Sequence, residues 1–248
     1  MDLGLTDSVV VITGAAGGIG TACARAYARE GARLVLADLA PDRLAAVADS
    51  VPGTQAVAFA DDLTRDGVAD ELIGAAVARF GRVDIVVNAA GVYHATALPD
   101  MGADEWRRIQ EANVTTTFQV ARAALAAMVP RQAGSIVNIG SVAGRTGGLS
   151  AGASYSTSKA AVAGLTRSLA RYAGPHGINV NCVSPGLVET PMIADRPPSE
   201  VTSAIGATPL RRSAQPEEIA SVIVFLSSTA ASFVNGVQLD VNGGLHMD

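Results

Sequence analysis

The sequence predicts a single α/β domain built on a doubly wound parallel sheet of about seven strands, with helices on both faces. Short β-branched runs alternate along the chain with longer, alanine-rich segments of helical period, which is the pattern of repeated β-α-β units. Of the 248 residues, 49% are hydrophobic and 17% are charged, so the chain can bury a large core. No linker, repeat or low-complexity segment divides it, and residues 1–248 are expected to form one domain.

The first half of the chain contains four of the expected strands. The continuous apolar run at 9–12 is typical of a strand buried on both faces, and a glycine-rich turn follows it. A helix then runs to about Arg29, Pro41 begins a second helix, and Gly81 ends a third over 68–80. The other three strands are expected at 33–38, 55–59 and 83–88.

The second half continues the alternation. We expect helices over 106–129, 155–172 and 217–226, and strands over 135–139, 179–183 and 237–241. The stretch from Pro185 to Pro216 contains six prolines, a density that predicts an irregular loop or lid near a ligand. Residues 186–215 are therefore expected to form the substrate-binding loop.

Composition and charge exclude several classes of protein. The formal charge of −5 offers no basic surface for nucleic acid. Cys23 and Cys182 lack metal-ligand spacing and are expected to be buried, and the three scattered histidines make no zinc site, so no metal is expected. The first apolar run is too short for a signal peptide or a membrane span, so a cytoplasmic location without membrane contact is expected.

A glycine cluster stands between the first strand and the first helix. Gly14, Gly18 and Gly20 let the backbone turn sharply and approach a pyrophosphate, which the N-terminus of the next helix would attract. Such a cluster alone could be only a tight turn. The strand before it and the helix after it are the context that a dinucleotide site requires.

Asp38 ends the second strand, 18 residues beyond Gly20. A carboxylate there can accept hydrogen bonds from the adenosine ribose hydroxyls and would repel a 2′-phosphate. Leu39 follows it, and the glycine turn contains no arginine or lysine that would attract that phosphate. The alternative is a cap for the helix beginning at Pro41. The pattern favours NAD over NADP as the cofactor.

Tyr155 and Lys159 stand four residues apart at the start of a helix, so both project from one face. A phenol has a pKa near 10, and a neighbouring ammonium would lower it enough for the tyrosine to exchange a proton with an alcohol or ketone. Lys159 is the only lysine among 18 basic residues, as if arginine could not replace it there. The alternative is an ordinary surface pair.

With these motifs the chain resembles the classical short-chain dehydrogenase/reductase family over essentially its full length. Two elements depart from the family pattern, since Ala89 replaces an asparagine and Asn242 an aspartate. The matching elements are Thr13-Gly14-x-x-x-Gly18-x-Gly20, Asp62-Leu63-Thr64, Asn88-Ala89-Ala90-Gly91, Asn113, Ser141, Tyr155-x-x-x-Lys159, Pro185-Gly186-Leu187-Val188-Glu189-Thr190 and Asn242-Gly243-Gly244.

The resemblance implies a Rossmann-type fold, a homotetramer, and a catalytic set of Asn113, Ser141, Tyr155 and Lys159. Ser141 would hold the substrate oxygen near Tyr155. Lys159 would bind the nicotinamide ribose and lower the pKa of Tyr155, and Asn113 would position a water beside Lys159. The implied cofactor-binding residues are Gly14, Gly17, Gly18, Ile19, Gly20, Asp38, Leu39, Asp62, Leu63, Asn88, Ala90, Gly91, Tyr155, Lys159, Pro185, Gly186, Val188 and Thr190.

The expected function is an NAD(H)-dependent oxidoreductase that transfers a hydride between the nicotinamide and a small secondary alcohol or ketone. One alternative is a 3-oxoacyl thioester (acyl carrier protein) reductase using NADPH. Another is a non-catalytic nucleotide-binding regulator. The expected substrate walls are mainly apolar, and Arg145 is either a contact for an anionic substrate or an exposed surface residue. These walls are Tyr93, His94, Val142, Leu149 and residues 187–205.

Overall fold

The computed structural model describes residues 3–148, 151–194 and 196–247, and seven strands within them form one sheet. The spatial order is β3-β2-β1-β4-β5-β6-β7, and every neighbouring pair is parallel. This confirms the predicted Rossmann-type, doubly wound sheet. The strands are β1 Val9–Thr13, β2 Arg33–Asp38, β3 Ala56–Ala60, β4 Ile85–Asn88, β5 Gly134–Ile139, β6 Ile178–Pro185 and β7 Gln238–Val241.

Helices cover both faces of the sheet. On one face α1, α2 and α10 pack against alternate strand residues such as Val10 and Ile12, and on the other α3, α5 and α7 pack around Val11. This double burial explains why the central strands are continuously apolar. The helices are α1 Gly18–Arg29, α2 Pro41–Asp49, α3 Val68–Phe80, α4 Ala103–Gln110, α5 Thr116–Met128, α6 Ala143–Thr146, α7 Ala153–Ala173, α8 Pro191–Ala194, α9 Pro198–Ala207 and α10 Pro216–Ser227.

The strand order reverses at β1, which lies between β2 on one side and β4 on the other. The connections that leave β1 and β4 therefore run to opposite faces, and a crevice opens at the carboxyl ends of the strands. The register pairs Thr13 with Asn88 and Thr13 with Ala37, so the three strands end at one level. Residues that immediately follow these strands are brought together at the crevice.

The prediction of one helix over 106–129 is wrong in two respects. It begins earlier, at Ala103, and a π-helical turn at Glu111–Thr115 separates α4 from α5. The hydroxyls of Thr116 and Thr117 donate to the carbonyls of Glu111 and Asn113, which offers these carbonyls partners where the α-helical ladder is broken.

The segment 186–215 is less irregular than expected, because it contains the helices α8 and α9, and its role in binding substrate stays a prediction. Its prolines begin helices instead of preventing them, since Pro191 and Pro198 occupy first turns where no backbone N–H is needed. The segment is anchored by a β-bridge between Val188 and Ala214. Asp195 lies outside the described residues.

The structure can be compared with the expectation that the chain has neither a membrane span nor a metal site. Across residues 3–148, 151–194 and 196–247, no helix combines the length and the apolar character needed to cross a bilayer. In the same ranges no cluster of three or more histidine, cysteine or acidic side chains could hold a metal ion. Cys23 and Cys182 are both buried and unpaired, as expected.

Candidate active site

A cleft at the carboxyl edge of the sheet consists of two connected cavities. The first, of about 360 Å³, contains the glycine turn, and the second, of about 280 Å³, contains Tyr155 and Lys159. Both are lined by Ile19, Gly91 and Thr190, so they meet at the start of α1. An extended ligand can therefore lie across both cavities.

The glycine turn is shaped by close backbone contacts. Gly14 has φ +64°, and a Cβ atom there would lie 2.7 Å from the Ala90 nitrogen. A Cβ at Gly18 would lie 2.5 Å from Thr190 Cγ2. The first backbone bond of α1 runs from the Thr21 N–H to the Gly17 carbonyl, so the N–H groups between them are available to an anion in the cleft.

Asp38 joins the glycine turn to the start of α2. Its Oδ2 accepts a hydrogen bond from the Ala16 N–H at 3.0 Å, and its Oδ1 accepts one from the Ala40 N–H at 3.2 Å. It does not cap the first turn of α2, because Ala40 is the residue that precedes that helix. A carboxylate accepts about four hydrogen bonds, so Asp38 retains capacity for ligand hydroxyls in the first cavity.

The rest of the first cavity is lined by acidic and apolar residues and one arginine. Asp62 Oδ1 accepts from the N–H and the hydroxyl of Thr64, and these bonds lower the pKa of the Asp62 carboxyl. Leu39 and Leu63 also line the cavity, as expected. Arg43, in the first turn of α2, lines it too, and the sequence interpretation missed this residue. The feature of the sequence that could have identified it is its position five residues after Asp38.

Lys159 is almost fully buried in the second cavity, with 6% of its surface exposed. Its Nζ donates to the Ile139 carbonyl at 2.9 Å and lies 5.8 Å from the centre of the Tyr155 ring. Both side chains line the same cavity, as the four-residue spacing predicts. Burial disfavours the charged ammonium and lowers the pKa of Lys159 to about 8.

Tyr155 is half-buried, and its environment differs from the one expected. Burial raises the pKa of its phenol, and this effect outweighs the lowering by the neighbouring Ser141 hydroxyl and by the charge of Arg196. The expectation of a lowered pKa is therefore not met in this structure. The Tyr93 ring stands edge-on to Tyr155, with ring centres 5.0 Å apart.

Ser141 and Asn113 support the same region from two sides. Ser141 follows β5, lines the second cavity, and accepts a hydrogen bond from the Ala143 N–H at 3.1 Å. Asn113 lies behind the cavity wall, within the π-helical turn. Its Oδ1 accepts from the Val92 N–H at 2.8 Å, and its Nδ2 donates to the Val92 carbonyl and to Ser158 Oγ.

Most of the predicted cofactor residues line the cleft, and Asn88 is the exception. Its amide donates to Asn138 Oδ1 at 2.9 Å, and the two residues are paired in register across β4 and β5. The remaining predicted residues, Gly14, Gly17, Gly18, Ile19, Gly20, Asp38, Leu39, Asp62, Leu63, Ala90, Gly91, Tyr155, Lys159, Pro185, Gly186, Val188 and Thr190, line one or both cavities.

The expected substrate walls are only partly found around the second cavity. Tyr93 and Val142 line it, whereas His94 does not and lies 3.2 Å from Glu105. Leu149 lies outside the described residues. Arg145 is neither exposed nor in the cavity, since it contacts the Gln238 carbonyl and Asp240.

Arg196 lines the second cavity, and the sequence interpretation missed it as well. Only 14% of its side chain is exposed, and its Cζ lies 5.3 Å from the centre of the Tyr93 ring. The feature of the sequence that could have identified Arg196 is its place in the segment expected to contact substrate, residues 187–205.

We expect Lys159→Met to stabilise the protein at pH 7 although it removes a site residue. A lysine with a pKa of about 8 when folded and 10.5 when unfolded binds fewer protons in the folded state between these values, so its burial costs most below pH 8. Burial of the charged lysine destabilises the folded state by about 3 kcal/mol. The substitution removes this penalty but also removes the hydrogen bond to Ile139, which offsets about 1 kcal/mol of the gain.

Urea unfolding at pH 7 and pH 10 measures this effect. The gain from Lys159→Met should reach about 1–3 kcal/mol at pH 7 and shrink at pH 10, where the wild-type lysine is neutral. A variant that is less stable than wild type at pH 7 would show that the ammonium is well solvated in its site.

Comparison with known proteins identifies the family. A family profile described as enoyl-(acyl carrier protein) reductase matches residues 14–246. A 3-oxoacyl-[acyl-carrier-protein] reductase of Vibrio cholerae serotype O1 is 36% identical over 99% of this chain and 100% of its own. A trans-4-hydroxycyclohexanecarboxylate dehydrogenase of Sinomonas cyclohexanicum is 38% identical over 97% of this chain and 93% of its own.

A solved structure agrees with these relatives. The crystal structure of a short-chain dehydrogenase/reductase (glucose/ribitol dehydrogenase) from Brucella melitensis superposes with a TM-score of 0.93. It is 37% identical to this chain, and the match covers 100% of both chains. On these matches the chain belongs to the classical short-chain dehydrogenase/reductase family of oxidoreductases.

Proposed function

We propose that the protein is an NAD(H)-dependent oxidoreductase that interconverts a secondary alcohol and a ketone. The observation that carries this proposal is the continuity of the cleft. A cavity with a glycine turn and Asp38 opens directly into one that contains Ser141, Tyr155 and Lys159. A nucleotide in the first cavity would thus present its nicotinamide to the proton-transferring groups of the second.

The residues of the cleft fit a dinucleotide. The close approach at Gly14 and Gly18 leaves the N-terminus of α1 open to a pyrophosphate. Asp38 would accept the adenosine ribose hydroxyls, and Lys159 would donate to the nicotinamide ribose. When bound, the nicotinamide supplies the hydride acceptor or donor. Residues 186–215 would close over the substrate end, where Pro185, Gly186 and Val188 line the cavity.

The proton chemistry belongs to the chain itself. Ser141 would hold the substrate oxygen beside the Tyr155 phenol, since both residues line the second cavity. In alcohol oxidation Tyr155 takes the hydroxyl proton, and in ketone reduction it returns one to the carbonyl oxygen. Burial raises the pKa of Tyr155, and the charge of Arg196 opposes this rise. The ammonium of Lys159, 5.8 Å from the centre of the Tyr155 ring, would favour the phenolate in the same way. Asn113 would position the backbone around Val92 that borders this site.

A second candidate is a 3-oxoacyl thioester reductase that uses NADPH. Two observations favour it: the Vibrio cholerae relative carries that name, and Arg43 lines the adenosine end, where it could pair with a 2′-phosphate. Asp38 opposes it, because a carboxylate would repel the same phosphate. A non-catalytic regulator is not favoured, since Ser141, Tyr155 and Lys159 line one cavity.

Absorbance of the reduced nicotinamide separates these candidates. We would measure kcat/KM with NAD(H) and NADP(H) for a panel of secondary alcohols, ketones and 3-oxoacyl thioesters. The proposal expects turnover of alcohols and ketones with a higher kcat/KM for NAD(H). Preference for NADPH and a thioester would establish the second candidate. Tight cofactor binding with no turnover of any compound would establish the regulator.

We expect Asp38→Ala to lower the ratio of kcat/KM for NAD to kcat/KM for NADP by about tenfold or more. The substitution removes both the hydrogen-bond acceptor for the ribose and the repulsion of a 2′-phosphate. Arg43→Ala provides the matched control on the same cavity. It should leave kcat/KM for NAD nearly unchanged and lower that for NADP. A wild-type protein that already prefers NADP would contradict the assigned role of Asp38.

A further inference from the structure

The two cavities of the cleft differ in the charged residues that line them. The first is lined by Asp38, Asp61 and Asp62 together with Arg43. The second is lined by the cations Lys159 and Arg196, and no aspartate or glutamate stands among its described lining residues. The charged side chains of the described lining are thus cationic at the substrate end, although the protein as a whole carries a formal charge of −5.

Arg196 places one of these charges close to the reacting groups. Its guanidinium lies 5.3 Å from the centre of the Tyr93 ring, and Tyr93 in turn stands 5.0 Å from Tyr155. The charge is thus one aromatic ring away from the phenol. It also acts on that phenol, because it lowers the pKa of Tyr155 against the effect of burial.

Glu200 is an anionic neighbour of Arg196. Its Oε2 lies 3.4 Å from Arg196, which is longer than the 2.7–2.9 Å of a strong charge-assisted bond. A guanidinium has five N–H donors in a forked arrangement, so it can contact more than one anion at a time. With only 14% of its side chain exposed, Arg196 gains little screening from water.

The second cavity combines these polar groups with apolar walls. The hydroxyls of Ser141 and Tyr155 and the guanidinium of Arg196 line the same space. A ligand that matches this lining has an oxygen for the hydroxyls, a short hydrocarbon body, and an anionic group for the guanidinium. The apolar walls include Val142, Leu187, Met192, Ile193, Ala204 and Leu245.

We propose that this cavity selects hydroxy- and oxo-carboxylic acids, and that Arg196 determines this specificity by binding the substrate carboxylate. The inference rests on the proposed function. In the oxidation, the carbinol carbon gives its hydride to the nicotinamide and the hydroxyl proton goes to Tyr155, while the carboxylate is unchanged. A single arginine neutralises one negative charge and grips a carboxylate through two parallel bonds. A phosphate group carries up to two negative charges, which one arginine does not neutralise, so the site favours a carboxylate.

The acid-to-ester ratio of kcat/KM tests the proposal. We would reduce 3-oxobutanoate, 4-oxopentanoate and 5-oxohexanoate, each beside its methyl ester. At the best chain length the wild type should favour the acid by about 10- to 100-fold, as expected for a charge-assisted pair. Arg196→Met should bring the ratio near one while the ester is still reduced, and Arg196→Lys should restore part of it. Glu200→Gln should raise the acid-to-ester ratio, because it removes an anion that competes for Arg196.

Arg145→Met is the matched control, since Arg145 contacts Asp240 and does not line the cavity. It should leave the acid-to-ester ratio unchanged. Equal use of acids and esters by the wild type would overturn the proposal. An equal loss of NADH affinity and of acid preference in Arg196→Met would also overturn it, because the arginine would then serve the cofactor.

A binding measurement tests carboxylate recognition even if no ketone of the panel is reduced. Calorimetry would compare hexanoate with hexanamide on the protein saturated with NADH. Tighter binding of hexanoate by about tenfold or more, lost in Arg196→Met, supports the proposal. Equal binding of the two by the wild type contradicts it. Carboxylate binding without Tyr155-dependent turnover would instead contradict the proposed oxidoreductase function.

Discussion

Tyr155→Phe should lower kcat by about 10³-fold while leaving the dissociation constant of NADH nearly unchanged. The substitution keeps the ring that packs edge-on against Tyr93 and removes only the hydroxyl. Because the phenol is the group proposed to exchange the proton, its loss affects the chemical step more than cofactor binding. Stopped-flow turnover and fluorescence titration with NADH measure the two quantities separately.

The control is Tyr172→Phe, on the exposed end of the same helix α7, where 60% of the tyrosine surface is accessible. It should leave kcat unchanged. A Tyr155→Phe protein that retains near-wild-type kcat would move the proton transfer to another group. His94 is a poor replacement, because it lies beside Glu105 and outside the cavity lining. Ser141 would then be the next group to test.

Lys159→Arg should lower kcat nearly as much as Lys159→Ala, by about 10²-fold or more, although it conserves the charge. The Nζ atom is buried and donates a hydrogen bond to the Ile139 carbonyl. A broad, forked guanidinium cannot replace the compact ammonium at that carbonyl without a change in the geometry of the site. Its pKa is also too high for it to pass on a proton, whereas the pKa of Lys159 is about 8.

Arg167→Lys is the matched exchange on the exposed face of α7 and should be neutral. The pH dependence of kcat and the NADH affinity of both Lys159 variants separate charge from shape. If Lys159→Arg keeps most of the wild-type kcat, the position supplies positive charge alone. The proposed contact with the nicotinamide ribose and the proton relay would then both be wrong.

The fold was predictable because local patterns suffice for a parallel sheet. Continuous apolar runs identify strands covered on both faces, and residues that follow parallel strands meet at one edge. This is why Gly14 and Asp38 could be assigned to one cleft from their sequence positions, whereas Ser141 was identified through the family resemblance. Tyr155 and Lys159 follow from helical spacing, since residues four apart share a face.

The features that were missed depend on contacts between distant residues. The π-helical turn involves the side chain of Asn113 and the backbone of Val92, 21 residues earlier. Arg196 was hidden because proline density suggests a loop, whereas here the prolines begin α8 and α9. The pKa of Tyr155 depends on its burial, which is a property of the folded chain and not of its spacing from Lys159.

Direct hydride transfer between a secondary alcohol and NAD can be followed with an isotope. A secondary alcohol deuterated at its carbinol carbon would be incubated with the protein and NAD, and the nicotinamide product analysed by mass spectrometry. We expect NADH carrying one deuterium, formed by the wild type and not by Tyr155→Phe. Reduced cofactor without deuterium, or no reduction with any secondary alcohol, would contradict it.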